Sequence, residues 1–348
     1  MKVLYLFTNS RSKNAEEVVR GEYHDNHFFG MFRLNKYGVE ADFLEVENTF
    51  SERVAQFLRR HISMHFIHVP LIPRMRSYDV VLTSSSLGTL LLWRIFHFPP
   101  KKWVMFDYNV SGLLDTASTY KERIYTWLVK GVDGFITLSK EEAEAMKKKY
   151  PKKADAILFL PFACDTEYYK PVENIKEEDF ILSVGRDPGR DWLTLCMAVS
   201  GLGVRCKVTA KKRHLEAVGN VPKEIEHHDF STKELLEEYT KARVVIIPLN
   251  PPWVNDSMGC SSLVEAMAMG KAVVATDTIT MRNYITDGVN GRLVPQGDSG
   301  VLRVVIEELL QDEEQRKKLG SNAREFVIKN CDSEEFCKNL ANYLFSLK

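Results

Sequence analysis

The chain has 348 residues, with 47 basic and 47 acidic side chains and 45% hydrophobic residues. That length exceeds what a single hydrophobic core usually serves, so two domains are expected. Zero formal net charge excludes the broad basic face of a general nucleic-acid binder, and 27% charged with 11% aromatic residues excludes a disordered chain.

The first apolar run, Lys2–Phe7, reads as a buried strand. It is too short for a signal-peptide core and gives way at once to Thr8-Asn9-Ser10. Further strands are expected at Val39–Val46, Val80–Leu82, Trp103–Phe106 and Gly134–Leu138, with helical patterns such as Glu52–His68 and Thr119–Lys130 between them. A second series follows, with strands at Phe180–Val184, Arg205–Thr209, Val244–Pro248, Ala272–Ala275 and Gly291–Val294. Its helices are expected at Asp191–Ser200, Lys233–Lys241, Leu263–Met269 and Val301–Gln311. Ser139–Glu142, Ser231–Glu234 and Ser262–Glu265 each have the spacing of a capping box.

Strand and helix alternation in two separate series predicts an α/β protein of two doubly wound domains. The expected organisation is an N-terminal domain over 1–165, a linker over 166–179, a second domain over 180–330 and a C-terminal helix over 331–348 that returns to the first. Ligands of such sheets sit beyond the C-terminal strand ends, so a cleft between the domains is the expected active site. Six cysteines without a CxxC pair fit reduced thiols in a cytoplasmic protein, and neither a disulfide nor a metal site is expected. His61, His65 and His68 have metal-ligand spacing on one helical face, but no cysteine or carboxylate nearby completes a set.

The chemistry should lie just after strands. Phe180–Val184 runs into Gly185-Arg186-Asp187-Pro188-Gly189-Arg190-Asp191. Two arginines four apart on a strand-to-helix loop suit a diphosphate, because guanidinium groups bind phosphate oxygens bidentately and stay charged. The alternative is that both pair with Asp187 and Asp191 in a solvated turn. Farther on, Val244–Pro248 leads through Met258-Gly259-Cys260-Ser261-Ser262 into a helix whose first N–H groups attract phosphate. Glu265, one turn in, is placed either to accept from a ribose diol or only to complete the capping box with Ser262.

The runs Ser183–Trp192, Leu263–Asp277 and Ile285–Pro295 together resemble glycosyltransferase family 4, the retaining group 1 glycosyltransferases of GT-B fold. The resemblance covers roughly residues 180–300. It implies a donor site in which Gly185, Arg186 and Arg190 hold the diphosphate of a nucleotide diphosphate sugar, UDP- or GDP-linked. Arg190 stands where the family has Lys. Glu265 falls on the family glutamate that binds the ribose, and the amides of Gly259 to Ser262 on the loop that contacts sugar and phosphate. Ser257 stands where a first family glutamate, eight positions before the second, contacts the sugar. Its replacement motivates one alternative, a non-catalytic sugar-nucleotide binding protein; a sugar-nucleotide epimerase or phosphorylase of the same GT-B architecture is another. A nicotinamide-dependent oxidoreductase is disfavoured, because neither the first strand nor Phe180–Val184 is followed by GxGxxG.

Weaker resemblance extends over the N-terminal half. Gly21-Glu22-Tyr23-His24, followed by a helix to Gly38, resembles the family's glycine loop, and His24 could face the cleft. Asp107 stands near the place of a family histidine after the fourth strand, as a substrate contact or a turn cap. No Asp-x-Asp pair occurs, so charge on the leaving diphosphate is expected to be met by Arg186, Arg190 and the helix end, without a metal or other cofactor. The acceptor is expected to be a hydroxyl of glycan or lipid type. Residues 51–76, with five arginines interleaved with apolar side chains, suit either a peripheral membrane contact or a core-facing helix with a solvated basic side.

Overall fold

The computed structural model describes every residue except 64, 85, 97–101, 108–122, 124–125, 129, 173–174, 251–257 and 348, and gives Asp107 through its backbone alone. The chain divides into two compact units, Met1–Pro161 with Phe336–Lys348, and Phe162–Glu335.

In the first unit, β1 (Lys2–Leu6), β2 (Glu40–Leu44), β3 (Val80–Thr83), β4 (Lys102–Asp107), β5 (Gly134–Thr137) and β6 (Ile157–Phe159) form one parallel sheet in the order β2-β1-β3-β4-β5-β6. Register places Lys2 beside Glu40 and Val3 beside Val80. Val3 to Leu6 and Val80 to Leu82 are all buried, as expected where both faces of a parallel sheet are covered. One face packs Leu4, Leu6, Met75, Trp93, Trp103 and Phe135. On the other, Phe7 meets Phe28 edge-on at 5.8 Å.

The C-terminal helix Ser333–Ser346 completes this unit from Phe336 onward. Phe336 stacks on Phe106, Cys337 Sγ donates to Gly30 O at 3.2 Å, and Tyr343 Oη donates to Ala156 O at 2.7 Å. Gly30 has φ +80° and no room for a Cβ against Cys337. The helical pattern read over Glu52–His68 ends earlier, since the helix covers Glu52–His61. His65 and His68 therefore lie outside it, and the three histidines do not share a helical face.

In the second unit, β7 (Phe180–Val184), β8 (Arg205–Thr209), β9 (Ile225–His227), β10 (Val244–Ile247), β11 (Ala272–Thr276) and β12 (Arg292–Val294) form a parallel sheet in the order β12-β11-β10-β7-β8-β9. Ile181, Ile246, Val274, Leu195 and Ile306 join strands to the helices Trp192–Val199 and Ser299–Gln311 in one core. Helix starts follow local chemistry: Asp191, Asp298 and Asp312 each accept from the backbone N–H three residues on, and Ser231 with Glu234 forms a full capping box.

Thr166 and Glu177, within the expected linker, are bonded to this unit. Thr166 Oγ1 donates to Asp332 Oδ2 at 2.5 Å, and Arg316 Nη2 donates to Glu177 at 2.8 Å. The GT-B expectation of two doubly wound α/β sheets with a returning C-terminal helix is thus met. Among the described residues no helix is long and apolar enough to cross a membrane, and all six cysteines are free and buried.

Candidate functional site

Two of the predicted loops meet at the C-terminal ends of β7 and β10, which are adjacent strands. Asp191 N donates to Pro248 O at 3.1 Å and Asn250 N to Gly189 O at 2.9 Å, while Arg190 and Leu249 form an isolated antiparallel bridge. The loop after β7 is therefore sewn to the segment leaving β10. This is the topological position at which doubly wound sheets bind ligands.

Arg190 is the centre of that seam. Its side chain is only 2% exposed. Nε donates to Asp187 Oδ2 at 2.9 Å and Nη2 to Ser262 Oγ at 3.1 Å, and Nη1 is buried with no partner among the described residues. A buried guanidinium donor left unmade is costly unless an acceptor arrives. Gly185 makes this placement possible, because a Cβ there would overlap the Arg190 guanidinium. Half of the solvated-turn alternative thus holds, in altered form. Arg190 pairs with Asp187 out of solvent, while Asp191 instead caps the helix Trp192–Val199 through Thr194 N.

Arg186 lies differently. Its side chain is exposed, with Nη2 donating to Asp229 Oδ1 and, at 3.4 Å, to Phe230 O on the loop after β9. The two arginines share a loop, yet one is fixed beneath it and the other is held outward by an exposed carboxylate.

The helix after β10 begins sooner than its apolar pattern suggests, at Cys260 rather than Leu263. Gly259 precedes it at φ +85°, a conformation that glycine reaches without a Cβ penalty. Ser262 consequently lies inside the first turn and caps nothing, which corrects the expected Ser262–Glu265 box. Its hydroxyl is released to accept from Arg190. The N–H groups of Cys260 to Ser262 lie in the helix's first turn, where backbone donors lack intrahelical acceptors.

Glu265 is 5% exposed and accepts from Ser261 Oγ at 2.9 Å and from Tyr239 Oη at 3.5 Å. Burial first, and then the nearby Glu265 charge, raises Tyr239 and Tyr169 well above the usual phenol value. Burial also pushes the Cys260 thiol up to about 12, so Cys260 contributes its backbone rather than a thiolate.

Ser257 lies outside the described residues, as does the Asp107 side chain; the Asp107 backbone ends β4. In the first unit, Gly21 has φ +72° and its N–H closes on Val18 O, just after the helix Ser12–Val19. It thus terminates a helix instead of opening one. The long helix expected up to Gly38 is replaced by short 3-10 turns at Asn26–Phe28 and Leu34–Tyr37, separated by left-handed Phe29 and Gly30. His24 is buried, stacked on Tyr23 and close to His27, and burial followed by the His27 and Arg11 charges holds its pKa well below the ordinary value.

Sequence reasoning passed over several polar residues at these strand ends. Asp229, the partner of Arg186, is one. Glu45, fully buried after β2, accepts from Ser10 Oγ at 2.9 Å, from Ser12 Oγ at 2.8 Å and from Arg11 N. His68, also fully buried, contacts Ser86 Oγ at 2.7 Å and Phe7 O at 2.9 Å. For Glu45 the available signal was a polar residue directly after a strand, whereas His68 precedes the 3-10 turn Val69–Leu71 and follows no strand.

Residues 208–326 match the family model described as glycosyl transferases group 1. The phosphatidyl-myo-inositol mannosyltransferase of Mycolicibacterium smegmatis is 42% identical over 65 residues, 19% of this chain and 17% of that protein. The matches to curated relatives cover at most 19% of those proteins' length. Among solved structures, sucrose-phosphate synthase from Thermosynechococcus elongatus has a TM-score of 0.73 at 16% identity, covering 100% of both chains. Anabaena HepE in complex with UDP-glucose has a TM-score of 0.72 at 16% identity, covering 99% of this chain and 100% of that one. Likeness at that identity concerns the fold. The group 1 resemblance read from the sequence is borne out over the matched segment.

Proposed function

We propose that this chain, a group 1 glycosyltransferase over residues 208–326, transfers a sugar from a nucleotide diphosphate donor to a hydroxyl acceptor with retention, as in family 4. The observation that carries the reading is the buried, unpartnered Nη1 of Arg190, held beside Ser262 at the opening of the helix Cys260–Ala268. A fixed cationic donor next to free helix amides suits a diphosphate and costs no reorganisation as charge develops on the leaving group.

In this reading Arg190 and the amides of Gly259 to Ser262 hold the diphosphate, Arg186 swings from Asp229 to close over it, and Glu265 receives the ribose. Ser257, Gly21 and His24 would contact the donor and Asp107 the substrate. The C–O bond from the anomeric carbon to the diphosphate breaks as the acceptor oxygen bonds on the same face, and its proton passes to a phosphate oxygen. No metal is required, consistent with the absence of Asp-x-Asp from the sequence. The UDP-glucose complex of HepE supports a uridine donor, and the mannosyltransferase relative supports a lipid-linked acceptor. Exposed Phe57 and Val54 on the helix Glu52–His61, interleaved with Arg53 and Arg60, favour a peripheral contact with an anionic membrane from the cytoplasmic side.

The test is incubation with a panel of UDP- and GDP-sugars and of glycan and lipid acceptors, scored for released nucleotide diphosphate and for product anomer. Acceptor-dependent release with retention supports the reading. Tight nucleotide-sugar binding without turnover on any acceptor favours the binding-protein alternative that Ser257 motivates, and acceptor-independent isomerisation of the donor favours the epimerase.

A further inference from the structure

At the opposite ends of β10 and β11 from Arg190, the second unit has a cavity of about 460 Å³. Its floor is Lys271, just before β11, and Arg316, on the helix Glu313–Asn330. Both side chains are more than nine-tenths buried. One carboxylate serves both. Glu177 accepts from Lys271 Nζ at 3.2 Å and from Arg316 Nη2 at 2.8 Å.

Arg316 is otherwise satisfied, since Nη1 donates to Leu309 O at 2.7 Å. Lys271 is not. An ammonium has three N–H donors, and among the described residues only Glu177 Oε1 and, at 3.3 Å, Thr240 O receive them. Two buried cations against one carboxylate leave one positive charge uncompensated among the described residues. Burial, and to a smaller extent the Arg316 charge, lowers the Lys271 pKa. At the rim, Lys176 adds positive charge, while Arg243 is paired with Asp179 at 3.0 Å and Lys317 with Glu313 at 2.8 Å.

We propose that this cavity is a second anion site, which takes a small phosphorylated ligand with its phosphate on Lys271 and the rim cations. The volume exceeds that of a bare phosphate and falls within the usual range for small-molecule sites. The helix Cys260–Ala268 connects the two ends, because Gly259 opens it beside the Arg190 seam while Met269 and Gly270 after its last turn line the cavity. The cavity shares no residue with the donor loops.

The experiment is calorimetric titration of the full chain and of single variants with inorganic pyrophosphate, which carries the required chemistry and is also a probe of the donor loops. Binding that survives in Arg186→Ala, weakens tenfold or more in Lys271→Met, weakens severalfold in Lys317→Ala and tightens in Glu313→Gln supports the site. The exposed Lys317 and Glu313 variants keep the test decisive if Lys271→Met fails to fold. Binding that is lost in Arg186→Ala and unchanged in the cavity variants overturns the proposal, as does no binding at millimolar pyrophosphate. Cavity-dependent binding without any sugar transfer would sink the transferase reading and leave this site standing.

Discussion

Arg190 Nη2 donates to Ser262 Oγ at 3.1 Å, across 72 residues of sequence. The bond ties the loop after β7 to the first turn of the helix after β10, and it sets the charge of one at the open amides of the other. A guanidinium so placed is poorly replaced by an ammonium, which lacks the planar fork that reaches Asp187, Ser262 and a ligand together. Arg190→Lys should weaken donor use by at least tenfold despite keeping the charge. Arg190→Ala should add a fall in stability of about 1–3 kcal/mol, from the unpaired Asp187 and lost packing. Steady-state kinetics on the accepted donor with thermal melts checks both; unchanged kinetics in Arg190→Lys would mean the fork is only structural.

Arg186 gives the opposite expectation. Its pair with Asp229 is exposed, and exposed pairs contribute about 0–1 kcal/mol to stability. Arg186→Ala should leave the melting temperature nearly unchanged while donor use falls at least tenfold, a loss of about 1.5–3 kcal/mol in one charged contact. Asp229→Asn frees the guanidinium and should leave donor affinity equal or tighter. A weaker donor in Asp229→Asn would assign Asp229 a direct role instead.

Glu265 combines site and core. Glu265→Ala removes the acceptor of Ser261 Oγ and Tyr239 Oη, so nucleotide affinity should fall together with stability, the latter by about 1–3 kcal/mol. Glu265→Gln retains one acceptor oxygen and should melt closer to the parent while still losing nucleotide affinity. Titration with the free nucleoside diphosphate separates the effects. Equal affinity for Glu265→Gln and the parent would remove the carboxylate from the ribose.

Buried strands were the legible part of this sequence, because Val3–Leu6 and Val244–Ile247 are continuous apolar runs that only a two-sided parallel sheet accommodates. Of the outer strands, Ile225–His227 carries too few apolar residues to stand out and Ile157–Phe159 is apolar but only three residues long, and pairing with a neighbour defines both. The loop and helix carrying Arg190, Ser262 and Glu265 were legible as positions. Their partners were not. That Arg190 turns inward to Asp187 while Arg186 turns outward to Asp229 depends on which side of the loop each faces, and nothing in Gly185-Arg-Asp-Pro-Gly-Arg190 encodes this locally. Ser262 was misread for a related reason: Ser at a helix opening looks like a cap until Gly259 takes that place.

Gly185 tests the packing behind the site. In Gly185→Ala the new Cβ meets the Arg190 Nε and Cζ, so the guanidinium must leave the position that Asp187 and Ser262 define. Donor use should fall about as far as in Arg190→Ala, and the double variant should add little, because residues sharing one contact are not additive. Additive losses would show that Gly185 meets the ligand directly.

The first unit's pH response rests on His68. The Phe7 carbonyl can only accept, so His68 Nε2 carries the proton and Nδ1 accepts from Ser86 Oγ–H. Burial is the main cause that lowers its pKa to about 4 from the ordinary 6.5. His27, partly buried, is likewise lowered to about 4, mainly by desolvation. In the unfolded chain these rings protonate near 6.5, before they do so in the folded protein. Stability is therefore full above that pH and declines as pH falls from about 6.5 toward 4, because the unfolded state binds more protons there. One such ring accounts for a loss of up to about 3 kcal/mol across that window. Replacing His68 with Gln keeps a donor and an acceptor and removes the titration. Urea unfolding at a series of pH values should show a slope in His68→Gln shallower by about one proton, with the remainder due to His27 and His24. An unchanged slope would mean that His68 is already protonated, or already solvated, in the native fold.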